Sequence, residues 1–308
     1  MMLHIFDENI VQNTNTAITL GNFDGLHLGH QKLIYELKKI SKLENLTSAL
    51  FSFYPHPVTV LKDIPIRSIL SREEKINLLK SIGIDIFVEY PFNKKFASVE
   101  PEDFVKSILC NKMRCKVLIV GKGYKFGAGQ KGTCSFLEQL GKKYGIQVIV
   151  TKVVNDFDMK ISSSSIRQHI HEKNFQQAET LLSRPYFVSG NIQHGKKIGR
   201  TIGFPTANIL PSSYKLLPPN GVYITRTHCK GTTYNSITNI GTNPTVNGIN
   251  KTVETYLFDF DDEIYGEFVK VDFYSWIRDE QKFENVDMLK ERLNLDVLQA
   301  KSYFTKIH

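Results

Sequence analysis

The sequence predicts an α/β domain with a doubly wound parallel sheet, followed by an antiparallel β-barrel or sandwich closed by one helix. Three observations predict it. Apolar, strand-like runs alternate with helical patterns as far as residue 183, which is the pattern of a parallel sheet covered by helices. "CKVLIVG" (115–121) is apolar almost throughout, as a strand buried on both faces should be. From residue 184 the runs become short, β-branched and aromatic, broken by Gly, Asn and Pro, the mark of an antiparallel barrel or sandwich. The domains are drawn as 1–183 and 184–308, and a chain of 308 residues favours two.

The elements follow in order. A strand is expected at 17–22 and a helix from Leu28 to Ile40. "LTSALFSFYP" (46–55) is a second strand, and "SREEKINLLKSIG" (71–83) is a helix with Ser71 and Glu74 at capping-box spacing. "DIFVEYPF" (85–92) is a strand, and "PEDFVKSILCNK" (101–112) is a helix with Pro at its start. After the apolar strand come a helix at 135–145 and a strand at 146–154. One helix over 164–183 precedes the change of pattern. Strands are then expected within 184–200, 221–241 and 251–277, with a closing helix over 285–304.

Composition narrows the function classes. With 41% apolar and 23% charged residues the chain can bury a sizeable core. No apolar run approaches the length that spans a bilayer, and His4, Asp7 and Glu8 come too early for a signal peptide. A cytoplasmic protein without membrane contact is expected. Cys110, Cys115, Cys134 and Cys229 form neither a CxxC pair nor a zinc spacing, so free thiols or small buried residues are expected. The formal charge of +8 suits anionic partners, whether phosphates or polymers.

Ligands of doubly wound sheets sit at the carboxyl ends of the strands, and there the sequence reads "ITLGNFDGLHLGHQKLI" (18–34). Gly21, Gly25 and Gly29 let a backbone approach a bulky ligand. The turn feeds a helix N-terminus, which favours an anion. His27 and His30 are three apart and share a helix face if the turn is already helical, where two imidazoles could donate to phosphate oxygens. The plain alternative is two ordinary polar residues at a helix start. A metal reading lacks a third ligand nearby.

"GNFDGLHLGH" resembles the HxGH signature of nucleotidyltransferases, in the form found in bacterial bifunctional riboflavin kinase/FMN adenylyltransferases, or FAD synthetases. "FSFYPHP" (51–57), "SSSSIR" (162–167), "GKKIGRTIGFPTAN" (195–208), "NIGTNPTVNG" (239–248) and "VETYLFDFDDEIYGEFVKVDF" (253–273) are similar to further segments of that family, in family order. The resemblance covers nearly the whole chain. It implies a Rossmann-like adenylyltransferase domain and then a flavokinase domain on a small antiparallel barrel. The expected reactions are phosphorylation of riboflavin by ATP to FMN, and adenylyl transfer from ATP to FMN, giving FAD and pyrophosphate.

Residue roles follow from the same resemblance. His27 and His30 should hold ATP phosphates, with Asn22, Asp24 and the glycines Gly21, Gly25 and Gly29 shaping the pocket. Ser164 and Arg167 should contact the triphosphate; a hydroxyl at a helix start and a planar guanidinium both suit phosphate charge. In the second domain Gly195, Lys196, Gly203, Phe204 and Pro205 belong to the flavokinase signature. Thr206 and Asn208 should hold Mg²⁺, brought with ATP, and oxygen ligands suit that ion. Glu254 should be the base that orients or deprotonates the ribityl hydroxyl. By alternation alone it is simply the polar face of a strand. Arg278 should lie near flavin and nucleotide, while Trp276 and Phe283 are read as core. The chain departs from the family at "GKGYKFG" (121–127), where Gly123 stands for Asp or Asn and Tyr124 for Phe.

That departure leaves an alternative, a riboflavin kinase whose first domain serves as a binding or regulatory module. A nucleic-acid module would use the lysines and aromatics of "KGYKFGAGQK" (122–131), but the basic residues are scattered and no RNP-like motif is present, so nucleic acid is not an expected partner. An adenylyltransferase for another phosphate-bearing substrate fits poorly with a full flavokinase half. Homo-oligomerisation stays open.

Overall fold

The computed structural model describes residues 2–151, 161–193, 203–245 and 248–307. They fall into two compact units, Met1–Ser163 and Ser164–His308.

The first unit is built on a six-stranded sheet in which every pairing is parallel. Its strands are β1 (Leu3–Ile5), β2 (Thr16–Leu20), β3 (Thr47–Tyr54), β4 (Ile86–Pro91), β5 (Cys115–Gly121) and β6 (Gln147–Thr151), in the order β1-β4-β3-β2-β5-β6. The chain runs one way from β2 through β3 to β4 and the other way from β5 to β6. The order therefore reverses between β2 and β5, the place where open α/β sheets hold ligands. β2 is buried along its whole length, which explains its run of apolar and β-branched residues. Its helices are α1 (Leu28–Leu43), α2 (Pro57–Lys62), α3 (Arg72–Ile82), α4 (Lys94–Ala97), α5 (Pro101–Asp103) and α6 (Cys134–Tyr144).

Local chemistry sets the helix ends. The capping box of α3 is formed on both sides: Glu74 N–H donates to Ser71 Oγ at 3.1 Å, and Ser71 N–H donates to Glu74 Oε2 at 2.7 Å. Gly83 ends α3 at φ +80, a left-handed cap that glycine takes without strain. The helix expected at 101–112 begins as α5 and widens into a π-helix over Phe104–Lys112. β1 and α2 had no clear sequence signal. Beyond Thr151 the strand expected to reach residue 154 lies outside the described residues.

Apart from Ser163, the first residue of α7 (Ser163–His171), the second unit holds α7 and α8 (Phe175–Leu182) and continues as a closed six-stranded barrel. Its strands are β7 (Tyr186–Gln193), β8 (Ala207–Leu210), β9 (Gly221–Cys229), β10 (Thr232–Thr245), β11 (Gly248–Leu257) and β12 (Phe268–Arg278), all paired antiparallel, and α9 (Val286–Ile307) ends the chain. The fold is a barrel rather than a sandwich. The single helix expected over 164–183 is two helices. Lys173 turns left-handed at φ +62, and Asn174 caps α8 by accepting from Gln177 N–H at 3.3 Å.

The two faces of the barrel wall differ. Thr225, Thr227, Ser236, Thr238 and Thr255 are buried and hydrogen-bonded to one another at 2.8–3.2 Å, so their hydroxyls are satisfied without water. Residues an odd number of positions away along the strands, among them Val222, Ile224 and Ile237, stand on the opposite face. There they pack with Ala300 and Phe304 of α9. Phe175 of α8 packs against Tyr186, Tyr223 and Phe273. Trp276, read as core, is instead 37% exposed beneath the Lys173 ammonium, 4.4 Å from its ring. Phe283 is half-buried under Arg278. All four cysteines are free thiols, and no helix among the described residues is long and apolar enough to cross a membrane.

Candidate active sites

The first site grows from the carboxyl end of β2. After Leu20 the chain turns sharply, with Phe23 at φ +50, Gly25 at φ +86 and Leu26 at φ +45. Phe23 and Leu26 are fully buried. Left-handed non-glycine residues are strained, and such strain gathers at functional turns. The turn delivers His27 to the N-cap of α1, where its Nδ1 accepts the His30 backbone N–H at 3.4 Å. With Nδ1 as acceptor, the neutral ring carries its proton on Nε2, a donor. His30 lies flat on His27, ring centres 3.6 Å apart and planes 17° apart. A Cβ on Gly29 would approach the His27 ring to 3.3 Å, so a glycine between the histidines leaves room for that ring.

The surrounding contacts fix this turn. Asp24, 5% exposed, accepts the N–H groups of Ile69 at 2.9 Å and Leu70 at 3.4 Å, and its carbonyl accepts Ser163 Oγ–H at 2.8 Å. Asn22 meets His56 Nε2 at 3.0 Å, joining the histidine motif to "PHP". His56 also caps α2, its Nδ1 accepting Val58 N–H at 3.2 Å. Burial, then the neighbouring His27 and Lys75, push the His30 imidazole well below the usual histidine range. Its Nδ1 is buried with no hydrogen-bond partner among the described residues. The arrangement presents imidazoles at a helix N-terminus, which suits phosphate.

Ser164 and Arg167 lie on α7, Ser164 exposed and Arg167 half-buried. Gly123 turns at φ +91 after β5, and a Cβ there would meet nothing within 4 Å. Lys75, which no sequence signal marked, donates from Nζ to the Asn22 carbonyl at 3.2 Å.

The second site lies on the wall of the barrel. Glu254 of β11 stands directly opposite Asn208 of β8 and, on its other side, Asn239 of β10. Its neighbours Val253 and Thr255 are buried, and Thr255 belongs to the hydroxyl network, so Glu254 stands on the other face. Tyr256 shares that face and packs with the cluster under α9. Phe204 meets Tyr256 edge-on, ring centres 5.1 Å apart. Thr206 is two residues before Asn208, and Gly203 turns at φ +84. Pro205 is exposed. Gly195 and Lys196 lie outside the described residues. Strand register thus unites Glu254 with Asn208 and adds Asn239, which sequence alone could not pair.

Arg278 has a partner within its own unit. It is 8% exposed, and its Nε donates to both carboxylate oxygens of Asp296, at 3.1 and 3.0 Å, with Nη2 2.8 Å from Oδ2. It fastens β12 to α9.

Comparison with known proteins finds matches over both units. Residues 9–165 match the FAD synthetase family model and residues 182–304 the riboflavin kinase family model. A Buchnera aphidicola (Acyrthosiphon pisum, strain APS) bifunctional riboflavin kinase/FMN adenylyltransferase is 38% identical over 95% of this chain and 94% of its own. The Bacillus subtilis (strain 168) protein of the same name is 35% identical over 96% and 95%. A solved Streptococcus pneumoniae structure, described as a macrolide-efflux protein, superposes at a TM-score of 0.88 with 32% identity, covering 97% of this chain and 99% of that one.

Proposed function

Because the chain belongs to the bifunctional riboflavin kinase/FMN adenylyltransferase family, we propose that it divides its two reactions between the histidine turn and the Glu254 face of the barrel. It phosphorylates riboflavin with ATP to FMN, and it transfers AMP from ATP to FMN, giving FAD and pyrophosphate.

For adenylyl transfer, an FMN phosphate oxygen attacks the α-phosphorus of ATP, and the bond to the β-phosphate oxygen breaks. Negative charge builds on the α-phosphoryl oxygens in the transition state. The Nε2–H of His27 and the His30 ring stand at the helix N-terminus that would receive it, and donors held in place before reaction act most strongly on such charge. Asn22 and Asp24 hold the turn through His56 and the Ile69–Leu70 backbone. Ser164 and Arg167 keep the triphosphate role that their motif implies.

For phosphorylation, Glu254 accepts the proton of the ribityl hydroxyl as that oxygen attacks the γ-phosphorus, the bond from the γ-phosphorus to the β,γ-bridging oxygen breaks, and ADP leaves. Support comes from the register that sets its carboxylate beside two amides, Asn208 and Asn239. Among the described residues no cluster of three or more His, Cys, Asp or Glu could hold a metal. The hydroxyl of Thr206 and the amide oxygen of Asn208 fit Mg²⁺ as protein ligands completed by phosphate and water. Bound there, the ion would neutralise phosphate charge. The protein's share is to place Glu254 and exclude alternatives to the ribityl oxygen.

The observation that carries this reading is the pairing of a stacked histidine couple in one unit with an in-register Glu254–Asn208 pair in the other. Chromatography of products tests it. Riboflavin with Mg²⁺ and ATP should give FMN, and supplied FMN should give FAD. FMN without any FAD from supplied FMN would favour the kinase-only alternative.

A further inference from the structure

Away from both sites, the barrel wall sets a hydroxyl, an imidazole and a carboxylate in a row. Thr233 of β10 stands directly opposite His228 of β9, and Lys270 of β12 flanks His228 on its other side. His228 Nε2 lies 2.6 Å from Asp272 Oδ2, and His228 Nδ1 lies 2.9 Å from Thr233 Oγ1. Asp272 is 5% exposed, while Thr233 is open to solvent beside the turn that joins β9 to β10. Asn239, the cross-strand neighbour of Glu254, is farther along β10, about 20 Å from Thr233 at the ordinary rise per residue. Neither reaction proposed above uses these three side chains.

The partners fix where the protons sit. A buried carboxylate is costly unless it is paired, and both oxygens of Asp272 are engaged: Oδ2 meets His228, and Oδ1 lies 3.1 Å from Lys270 Nζ. A carboxylate only accepts, so His228 Nε2 carries a proton. In the neutral ring Nδ1 is then the acceptor, and the Thr233 hydroxyl donates to it. Carboxylate, imidazole and alcohol are thus ordered as in the triad of a serine hydrolase, with the two ring nitrogens exchanged.

We infer that Thr233 is a modification site: its hydroxyl takes the acyl group of an activated ester or thioester, with His228 as base and Asp272 as the positioning residue. Thr233 Oγ1 bonds to the acyl carbon, and its proton passes to His228 Nδ1. The carbon–oxygen or carbon–sulfur bond of the donor breaks. The leaving alcohol or thiol takes the proton from His228, and Thr233 is left as an ester. Lys230, Gly231 and Thr232 are exposed as well, so a donor can reach the hydroxyl from solvent. An alcohol of this kind is a weak nucleophile until a base is held against it, and here the base is already in place.

The test labels the full-length protein with p-nitrophenyl acetate at neutral pH and locates acetyl groups by peptide mass spectrometry. Thr232, exposed and next in the chain, is the internal reference. Thr233 should be acetylated about 10²-fold or more faster than Thr232, the gain that a positioned base brings. His228→Gln should bring Thr233 down to the Thr232 rate. Asp272→Asn should bring it close to that rate, because an amide can donate to Nε2 and drive the ring proton onto Nδ1. Equal rates at Thr232 and Thr233 in the parent, or a parental rate at Thr233 in His228→Gln, overturn the inference. If Asp272→Asn fails to fold, nitrogen NMR of the parent at the labelling pH decides: His228 protonated at Nε2 alone supports it, and a proton on Nδ1 overturns it.

Discussion

Asp296→Asn should unfasten the C-terminal helix from the barrel. Asp296 is 0% exposed and Arg278 8%. The pair is bidentate, with contacts of 3.1, 3.0 and 2.8 Å, and Arg292 adds a further ion pair at 3.2 Å. The amide has the same shape but no charge, so it leaves the Arg278 guanidinium buried without its counter-ion. Removing one partner of a buried pair costs about 3–5 kcal/mol. In a unit of this size that lowers the melting temperature by roughly 10 °C. Calorimetry of the full chain would follow the barrel transition. The double variant Arg278→Met/Asp296→Leu should recover most of the loss, because an apolar pair of similar volume carries no stranded charge. The same pair separates anchoring from ligand contact. If Arg278 touches flavin or nucleotide as its motif implies, the KM for riboflavin or ATP stays raised after stability returns. A shift below about 1 kcal/mol in the single variant would refute the buried-pair reasoning.

Three further outcomes are expected. Phe175→Ala should cost about 3–5 kcal/mol in a urea melt, since the ring packs 5.5–6.3 Å from three buried aromatic rings; a fragment starting at Arg184 should be less stable than one starting at Ser164, and equal stability would separate α8 from the barrel core. Gly123→Ala should cost about 1–2 kcal/mol, because φ is +91 and only the backbone conformation opposes a Cβ there; an unchanged melting temperature would contradict the turn geometry. The folded chain holds His30 below its unfolded value of 6.5, so the unfolded chain takes up the proton first. The stability His30 contributes is therefore present above pH 6.5 and lost as pH falls toward its folded value. Urea midpoints should show that decline, and His30→Gln should flatten it.

The architecture was legible because its signals are local. β5 spans Cys115–Gly121, as its apolar run implies. The Ser71–Glu74 box marked the start of α3 because both of its hydrogen bonds lie within four residues. The histidine turn was legible for the same reason. What escaped depends on contacts between distant segments. β1 is a three-residue edge strand held by β4, too short to show a period. Asn239 joins Glu254 only through the register of β10 with β11, and Lys75 reaches Asn22 from α3 across 53 positions of sequence. The partner of Arg278, Asp296, lies 18 positions away in an unremarkable helical stretch, so no local signal paired them. Trp276 was read as core from its side chain alone, but its strand end is half open and a lysine covers the ring.

The central claim is that one chain holds two separable sites, and crossed variants test it most directly. Full-length parent, His27→Ala and Glu254→Gln are each assayed for riboflavin to FMN and for supplied FMN to FAD. His27→Ala should lower FAD formation by about 10²-fold or more and leave FMN formation within a few-fold of the parent. Glu254→Gln should do the reverse, with a loss on the order of 10²–10⁴ in FMN formation. A folded variant that loses both reactions together, or that keeps the reaction assigned to its missing residue, would contradict the account.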